Sequence, residues 1–311
     1  MRAMKRILQT YWPGLLAMLF WGLSYNWTKI CFIWYSPLAT IFLRLLISTL
    51  LLFLYLAWKG RNIRIRQGDL KYFLGAAFFS PFLYFIGENY GLSLTTPTTT
   101  AVLISTIPLF TPVAAYFFLQ ERLGILNILG ILVSFVGILL LLANPAARLH
   151  SHPAGLALLM LAVASAVAYG LFIKRLTHNY PPITIIAWQN AMALVFFLPF
   201  FLWFDLREVL SVPLNLKLGT SLLALAIFAS SLAFILFVRM IREIGLSRSN
   251  VLANLIPLIT GLAALALGQE KFGGMKILGM AVVLSGVILS QLRSMKREEK
   301  AAAALPQIPP Q

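Results

Sequence analysis

Ten apolar runs, each long enough to cross a bilayer, occupy this chain almost from end to end. A hydrocarbon core of about 30 Å needs roughly 20 helical residues at 1.5 Å rise each. The runs lie near 13–31, 37–58, 71–93, 97–119, 124–143, 154–174, 182–204, 217–238, 247–268 and 275–292. Backbone polar groups in lipid must be satisfied within the segment, so each run is expected to be a helix. Composition leads to the same class: 60% of residues are hydrophobic and 11% charged, against about a quarter charged in soluble domains. So few charges could not cover a water-facing surface. The expected fold is an all-α integral membrane protein of ten transmembrane helices.

The net charge of +16 would suit a nucleic-acid binder if the cations shared one soluble face. They fall instead in short connectors between apolar runs, so no nucleic-acid partner is expected. With the N-terminus in the cytoplasm, 18 Lys and Arg residues fall inside and 6 outside, and Arg44 lies within a run. That bias predicts a multi-pass inner-membrane protein with both termini cytoplasmic. The segment 1–12 is then a cytoplasmic lead-in and 293–311 a cytoplasmic tail, disordered by its Ala-, Pro- and Gln-rich composition. The first run follows Met1-Arg2-Ala3-Met4-Lys5-Arg6, like a signal peptide. It holds Trp21, Asn26, Trp27 and Lys29 and no small-residue cleavage site, so it is expected to stay in the membrane.

One cysteine, Cys31, and three histidines in connectors provide neither a disulfide framework nor a metal centre. No Gly-rich phosphate loop follows a strand, and no nucleophile has an evident base. No cofactor and no enzymatic activity are expected.

An internal repeat is visible when the chain is slid by 149 residues. Ile107-Pro108-Leu109, Thr111, Glu121, Gly124, Ile128-Leu129-Gly130, Val133 and Gly137 then fall on Ile256-Pro257-Leu258, Thr260, Glu270, Gly273, Ile277-Leu278-Gly279, Val282 and Gly286. At a shift of 145, Lys29, Tyr35 and Pro37 fall on Lys174, Tyr180 and Pro182. Five helices per half, 13–143 and 154–292, force the halves into opposite orientations, with Glu121 cytoplasmic and Glu270 outside. Inverted repeats are a hallmark of secondary transporters, because exchanging the conformations of two similar halves supplies outward- and inward-open states. A duplicated membrane scaffold without transport is the plainer alternative.

On these residues the chain resembles the EamA family of the drug/metabolite transporter superfamily. Trp21-Gly22, Lys29, Pro37 and Arg44 match that family's opening pattern, and Gly91-Leu92-Ser93-Leu94-Thr95-Thr96 its approach to the fourth helix. Ile107-Pro108-Leu109-Phe110, Glu121-Arg122-Leu123 and Gly130 to Gly137 complete the first unit; Ile256-Pro257-Leu258, Glu270-Lys271-Phe272 and Gly279 to Gly286 repeat its latter part. The second unit departs from the opening pattern, with Ala166 in place of the tryptophan and Gln189 in place of the arginine. The resemblance implies a ten-helix fold around a central cavity and export of amino acids or other small metabolites.

Ionisable groups inside a bilayer are costly, so Arg44 and Glu88 each need a reason. Arg44 lies about 10 Å and Glu88 about 7 Å below the outer ends of their helices, so an ion pair is geometrically reachable, with Lys29 at a nearby level. Both could line the cavity and meet a substrate or a proton. Equally, they could be a structural pair or snorkel outward. Trp21, Tyr25 and Asn26 share the first helix, and Tyr84 lies one turn before Glu88 with Asn89 adjacent. In the second half Tyr169, Gln189, Asn190, Asn250 and Asn254 are candidates, for a pathway lining or for interhelical hydrogen bonds. Trp27, Trp34, Tyr35, Trp58 and Trp203 near span ends suit an interfacial belt. Pro108 and Pro257, inside the fourth and ninth runs, are candidate hinges or static kinks. The glycines at 130, 137, 279 and 286 suit close helix packing, and Glu121 and Glu270 suit capping or ion pairing at helix ends.

The function expected is secondary transport, with a small-molecule substrate and the lipid bilayer as partners; a homodimer is compatible with it. A membrane-embedded scaffold or sensor is one rival, and an intramembrane enzyme using Glu88 as acid or base another.

Overall fold

The computed structural model describes residues 2–61, 64–119, 125–143, 152–213, 215–244, 249, 252–271 and 273–303, and every regular element among them is helical. In chain order these are α1 (Arg2–Cys31), α2 (Pro37–Trp58), α3 (Leu70–Ala77), α4 (Tyr84–Ser93), α5 (Pro97–Ile104), α6 (Ile107–Leu119) and α7 (Ile125–Ala143). There follow α8 (Pro153–Asn179), α9 (Pro182–Phe204), α10 (Leu206–Ser211), α11 (Leu216–Ala224), α12 (Ala233–Ile244), α13 (Ile256–Ala266) and α14 (Gly274–Ala303). Between α3 and α4 the rod kinks at Ser80 and Pro81, where Ser80 is extended (φ −148°, ψ 123°), and a π-helical segment, Leu225–Leu232, joins α11 to α12. Five of the resulting rods are long and apolar enough to cross a bilayer: Pro37–Trp58, Gln67–Ser93, Pro153–Asn179, Pro182–Phe204 and Leu216–Glu243.

Local chemistry sets where the rods begin. Three start with proline, whose missing N–H is no loss in a first turn, behind a residue that caps the helix. Ser36 Oγ accepts the Ala39 N–H at 3.0 Å, Thr96 Oγ1 the Thr99 N–H at 3.2 Å, and His152 Nδ1 the Ala154 N–H at 3.2 Å. Asn215 Oδ1 does the same for the Leu218 N–H at 2.9 Å.

The fourth run is not one helix. It breaks at Ser105 and Thr106, between α5 and α6. Pro108 cannot donate to the carbonyl one turn earlier, and the two hydroxyls take carbonyls of the closing turn: Ser105 Oγ donates to Val102 O at 2.7 Å and Thr106 Oγ1 to Leu103 O at 2.6 Å. Pro257 likewise stands in the first turn of α13, behind a 3₁₀ turn at Ala253–Leu255. Both prolines therefore mark helix restarts rather than kinks within continuous helices. At the termini one expectation changes, that of a tail disordered from 293. The lead-in is helical from Arg2, and α14 continues through Ala303, because its Lys-, Glu- and Ala-rich end consists of strong helix formers. The rest of the tail, 304–311, and Glu121 lie outside the described residues.

Early helices pack chiefly against late ones: α1 on α12 and α13, α2 on α9, α4 on α8, and α7 on α14. The last pair runs antiparallel along a glycine seam. A Cβ at Gly130 would lie 2.5 Å from the Gly286 carbonyl oxygen, and one at Gly137 would lie 3.0 Å from that of Gly279. Only glycine permits backbones this close, and Ser134 Oγ seals the seam by donating to Val283 O at 3.0 Å. Elsewhere the interior is aromatic and aliphatic, as in the stacked rings of Phe42 and Phe201, 4.0 Å apart. Large apolar side chains such as Leu54, Phe135, Leu216 and Leu262 point outward, where lipid is their solvent. Trp58 and Trp203 are exposed at helix ends, as an interfacial belt requires. Tyr35 is instead buried, and Trp27 packs toward Phe228; both leave the expected belt because inter-helix packing reaches the span ends.

Candidate functional site

Where early and late helices meet they enclose a cavity of about 100 Å³, several times the roughly 10–15 Å³ that one water needs. Its walls come from α1, α2, the α3–α4 rod, the α5–α6 break, α8, α12 and the start of α13. Of the residues singled out from sequence, Trp21, Tyr25, Arg44, Tyr84, Glu88, Tyr169 and Pro108 line it. Ser24, Ser80, Phe85, Thr111, Phe234 and Phe237 join them.

Glu88 is buried, 8% exposed. The Tyr84 hydroxyl, one turn earlier in α4, donates to its Oε1 at 2.7 Å. Asn89 Nδ2 reaches its Oε2 at 3.5 Å and donates to Phe85 O at 3.1 Å, and the Tyr25 hydroxyl lies beside both Glu88 and Tyr84. The ion pair with Arg44 that the spacing put within reach is not formed within 4.0 Å. Arg44, 3% exposed, instead donates from Nε to Ser230 Oγ at 2.8 Å and lays its guanidinium over the Phe85 ring, 4.4 Å from the centroid. The π-segment that presents Ser230 had no counterpart in the helical spacing, so the separation changes. The two charges still face each other closely enough to interact through space. Lys29 does not join them; the acid it interacts with through space is Glu270.

The π-segment Leu225–Leu232 is the anchor of the site. Trp21 Nε1 donates to Ala229 O at 3.2 Å, Asn190 Nδ2 to Ser230 O at 3.2 Å and to Ser48 Oγ at 2.9 Å, and Ser48 and Ser231 share a hydrogen bond at 2.7 Å. A π-bulge disrupts the usual i→i−4 ladder, leaving carbonyls for side-chain donors. Here donors from α1 and α9 take two of them. Trp21 also meets Phe234 and Phe237 edge-on, each 5.0 Å between centroids.

The remaining candidates do not line the cavity. Asn26 Nδ2 donates to Thr260 O at 3.3 Å, tying α1 to α13. Gln189 Oε1 accepts the Tyr169 hydroxyl at 3.1 Å and so orients a wall residue from behind. Asn89 sits behind Glu88. Asn254 has both amide atoms buried with no hydrogen-bond partner among the described residues, Asn250 lies outside them, and Pro257 stands next to the lining residue Ile256.

Sequence reasoning missed Ser230 and Phe85 as the partners of Arg44. Ser230 and Ser231 were visible as adjacent polar residues in an apolar run, a signal of inward-facing groups. It also missed how far Glu270 reaches. Glu270 Oε1 accepts the Thr98 N–H of the first turn of α5 at 2.8 Å, and Oε2 pairs with Lys276 Nζ. Gln269 Nε2 donates to Asn26 O at 3.3 Å. This clamp joins α1, α5 and α14 apart from the cavity. Among the described residues no cluster of His, Cys, Asp and Glu could hold a metal ion.

Known proteins resemble the chain over most of its length. The model of the EamA-like transporter family matches the chain twice, over residues 10–143 and 153–292. A transporter of Archaeoglobus fulgidus is 27% identical over 274 residues, covering 88% of this chain and 95% of its own. The transporter YetK of Bacillus subtilis is 26% identical over 266 residues, covering 84% and 80%. A solved crystal structure superposes with a TM-score of 0.68 at 17% identity, over 92% of this chain and 99% of the other, and so shares the fold. With a family model covering nearly its whole length, this multi-pass membrane protein belongs to the EamA-like transporter family.

Proposed function

We propose that the protein is a secondary transporter that exports amino acids or related small metabolites across the inner membrane by alternating access. In this reading ten transmembrane helices form two inverted five-helix repeats, 13–143 and 154–292, with both termini cytoplasmic. The observation that carries it is the cavity itself: both halves build it, and it holds one carboxylate and one guanidinium among aromatic rings. Such walls suit a small molecule with an apolar body and both charges, Glu88 meeting an ammonium or a proton and Arg44 a carboxylate. Trp21, Tyr25, Tyr84 and Tyr169 shape the wall. Asn26, Asn89, Gln189, Asn250 and Asn254 are assigned to the pathway or its support. The helix restarts at Pro108 and Pro257 serve as hinges, since a broken helix bends there without losing further hydrogen bonds. The glycine seam of α7 and α14 pairs Gly130 with Gly286 and Gly137 with Gly279; a twofold relation between equivalent helices accounts for that reciprocity.

Proteoliposomes carrying the purified protein test this with a panel of labelled amino acids and related metabolites. Wild-type protein should exchange at least one compound down its gradient, and Glu88→Gln should reach the membrane in normal yield yet lose that flux or change its pH dependence. Absence of flux for the whole panel, or an unchanged Glu88→Gln, would overturn the assignment.

A further inference from the structure

A second pocket, of about 410 Å³, lies away from the central cavity, where the α2–α3 connector meets the turn between α8 and α9. Arg61, Arg64 and Arg66 line it from the connector, and Tyr180, Pro181 and Thr184 from the turn. Its frame is hydrogen-bonded. The Tyr180 hydroxyl accepts the Arg66 N–H at 3.0 Å and donates to Asp69 Oδ2 at 2.9 Å, and Asn179 Nδ2 reaches the same oxygen at 3.5 Å. Neutral donors thus occupy Asp69, and Arg61 and Arg66 form no ion pair with it or with any other described residue.

Thr184 supplies an independent signal. It is 1% exposed, it lines this pocket, and its hydroxyl has no hydrogen-bond partner among the described residues. A buried hydroxyl left unsatisfied is unfavourable, so a ligand atom is called for. Thr184 also sits in the first turn of α9, a 23-residue helix that begins at Pro182 with no side-chain cap. The partial positive charge of that helix end therefore faces the pocket together with three guanidinium groups. The three guanidinium groups, the helix end and the unsatisfied hydroxyl together select an anion, against the one carboxylate of the frame, Asp69.

The surroundings select its source. Lys59 packs over the exposed ring of Trp58, 4.2 Å from the centroid, and Arg175 over Tyr72 at 4.4 Å. Cations laid over aromatic rings at the ends of apolar helices mark the headgroup level of a membrane. We propose that this pocket binds the phosphate of an anionic phospholipid headgroup, neutralised by Arg61, Arg64 and Arg66, hydrogen-bonded by the Thr184 hydroxyl and facing the N-terminus of α9. The bound lipid would hold the α2–α3 connector against the α8–α9 turn.

The test uses the full-length protein in a nonionic detergent, titrated with phosphatidylglycerol, phosphatidylcholine or inorganic phosphate. Native mass spectrometry reads lipid retention and thermal unfolding reads protection. Phosphatidylglycerol should bind and protect where the other two do not. Arg61→Gln/Arg66→Gln should weaken it by about fivefold per arginine at low salt. Thr184→Val, which preserves volume, should also weaken it several-fold and decides the matter if the arginine variant does not fold. Equal binding of the two lipids, equal protection by inorganic phosphate, or wild-type phosphatidylglycerol affinity in folded variants would each overturn the proposal.

Discussion

Replacing Glu270 by glutamine should destabilise the protein far more than the loss of one hydrogen bond, because of what surrounds it. The side chains of Lys276 and Glu270 are 6% and 3% exposed, and they pair through Nζ and Oε2. Glu270 Oε1 meanwhile accepts the Thr98 N–H at 2.8 Å. Glutamine keeps an oxygen for Thr98 but withdraws the negative charge from a buried ammonium. Breaking a buried pair from one side costs about 3–5 kcal/mol. At about 2 °C per kcal/mol for a chain of this size, Tm should fall by about 6–10 °C. Lys29 loses the same counter-charge, but it is only half-buried and can turn toward water. In Glu270→Gln/Lys276→Met the buried ammonium is gone and the Thr98 contact stays, so most of the lost stability should return. The assay is thermal unfolding of the detergent-purified protein followed by tryptophan fluorescence, for wild type, both single variants and the double. A Tm for Glu270→Gln within about 1 °C of wild type, or a double variant no better than that single, would refute the buried-pair reasoning.

Further outcomes are open to measurement. Ser230→Ala removes the acceptor from the Arg44 Nε and should cost about 1.5–3 kcal/mol, the range for hydrogen bonds to charged groups, read as a lower Tm. Gly286→Ala puts a Cβ 2.5 Å from the Ser134 backbone nitrogen, and overpacking of that kind costs about 1–3 kcal/mol; the folded yield after size-exclusion chromatography should drop, while Gly274→Ala, where a Cβ meets nothing within 4 Å, should not change it. In a Cys31→Ser background, cysteines at Arg61 and Lys271 should label from opposite faces of the membrane; labelling from one face would exclude the inverted arrangement.

Much of the fold was legible because its signals are local. Apolar run length marks where helices can span, and Pro37, Pro97, Pro153 and Pro182 are each the first residue of a helix. The glycines at 130, 137 and 286 were legible as packing sites since no side chain fits between backbones that close. The π-segment was not legible. Ser230 and Ser231 mark Leu225–Leu232 as facing inward, but nothing in its composition dictates a bulge, which is held by donors as remote as Trp21 and Asn190.

The sequence by itself determined the class of protein, the number of apolar runs, the helix starts at Pro37, Pro97 and Pro182 though not the restarts at Ile107 and Ile256, and the presence of two charged groups in apolar surroundings. These follow from hydrophobicity, capping chemistry and the cost of burying charge, all of which act residue by residue. Tertiary structure decided which polar groups meet. Spacing put Arg44 within reach of Glu88, but packing gave Arg44 to Ser230 and Phe85, gave Glu88 to Tyr84, and turned Asn26 toward Thr260 and away from the cavity. A long side chain near several acceptors takes the one the helix packing presents, and helix packing depends on the whole chain at once.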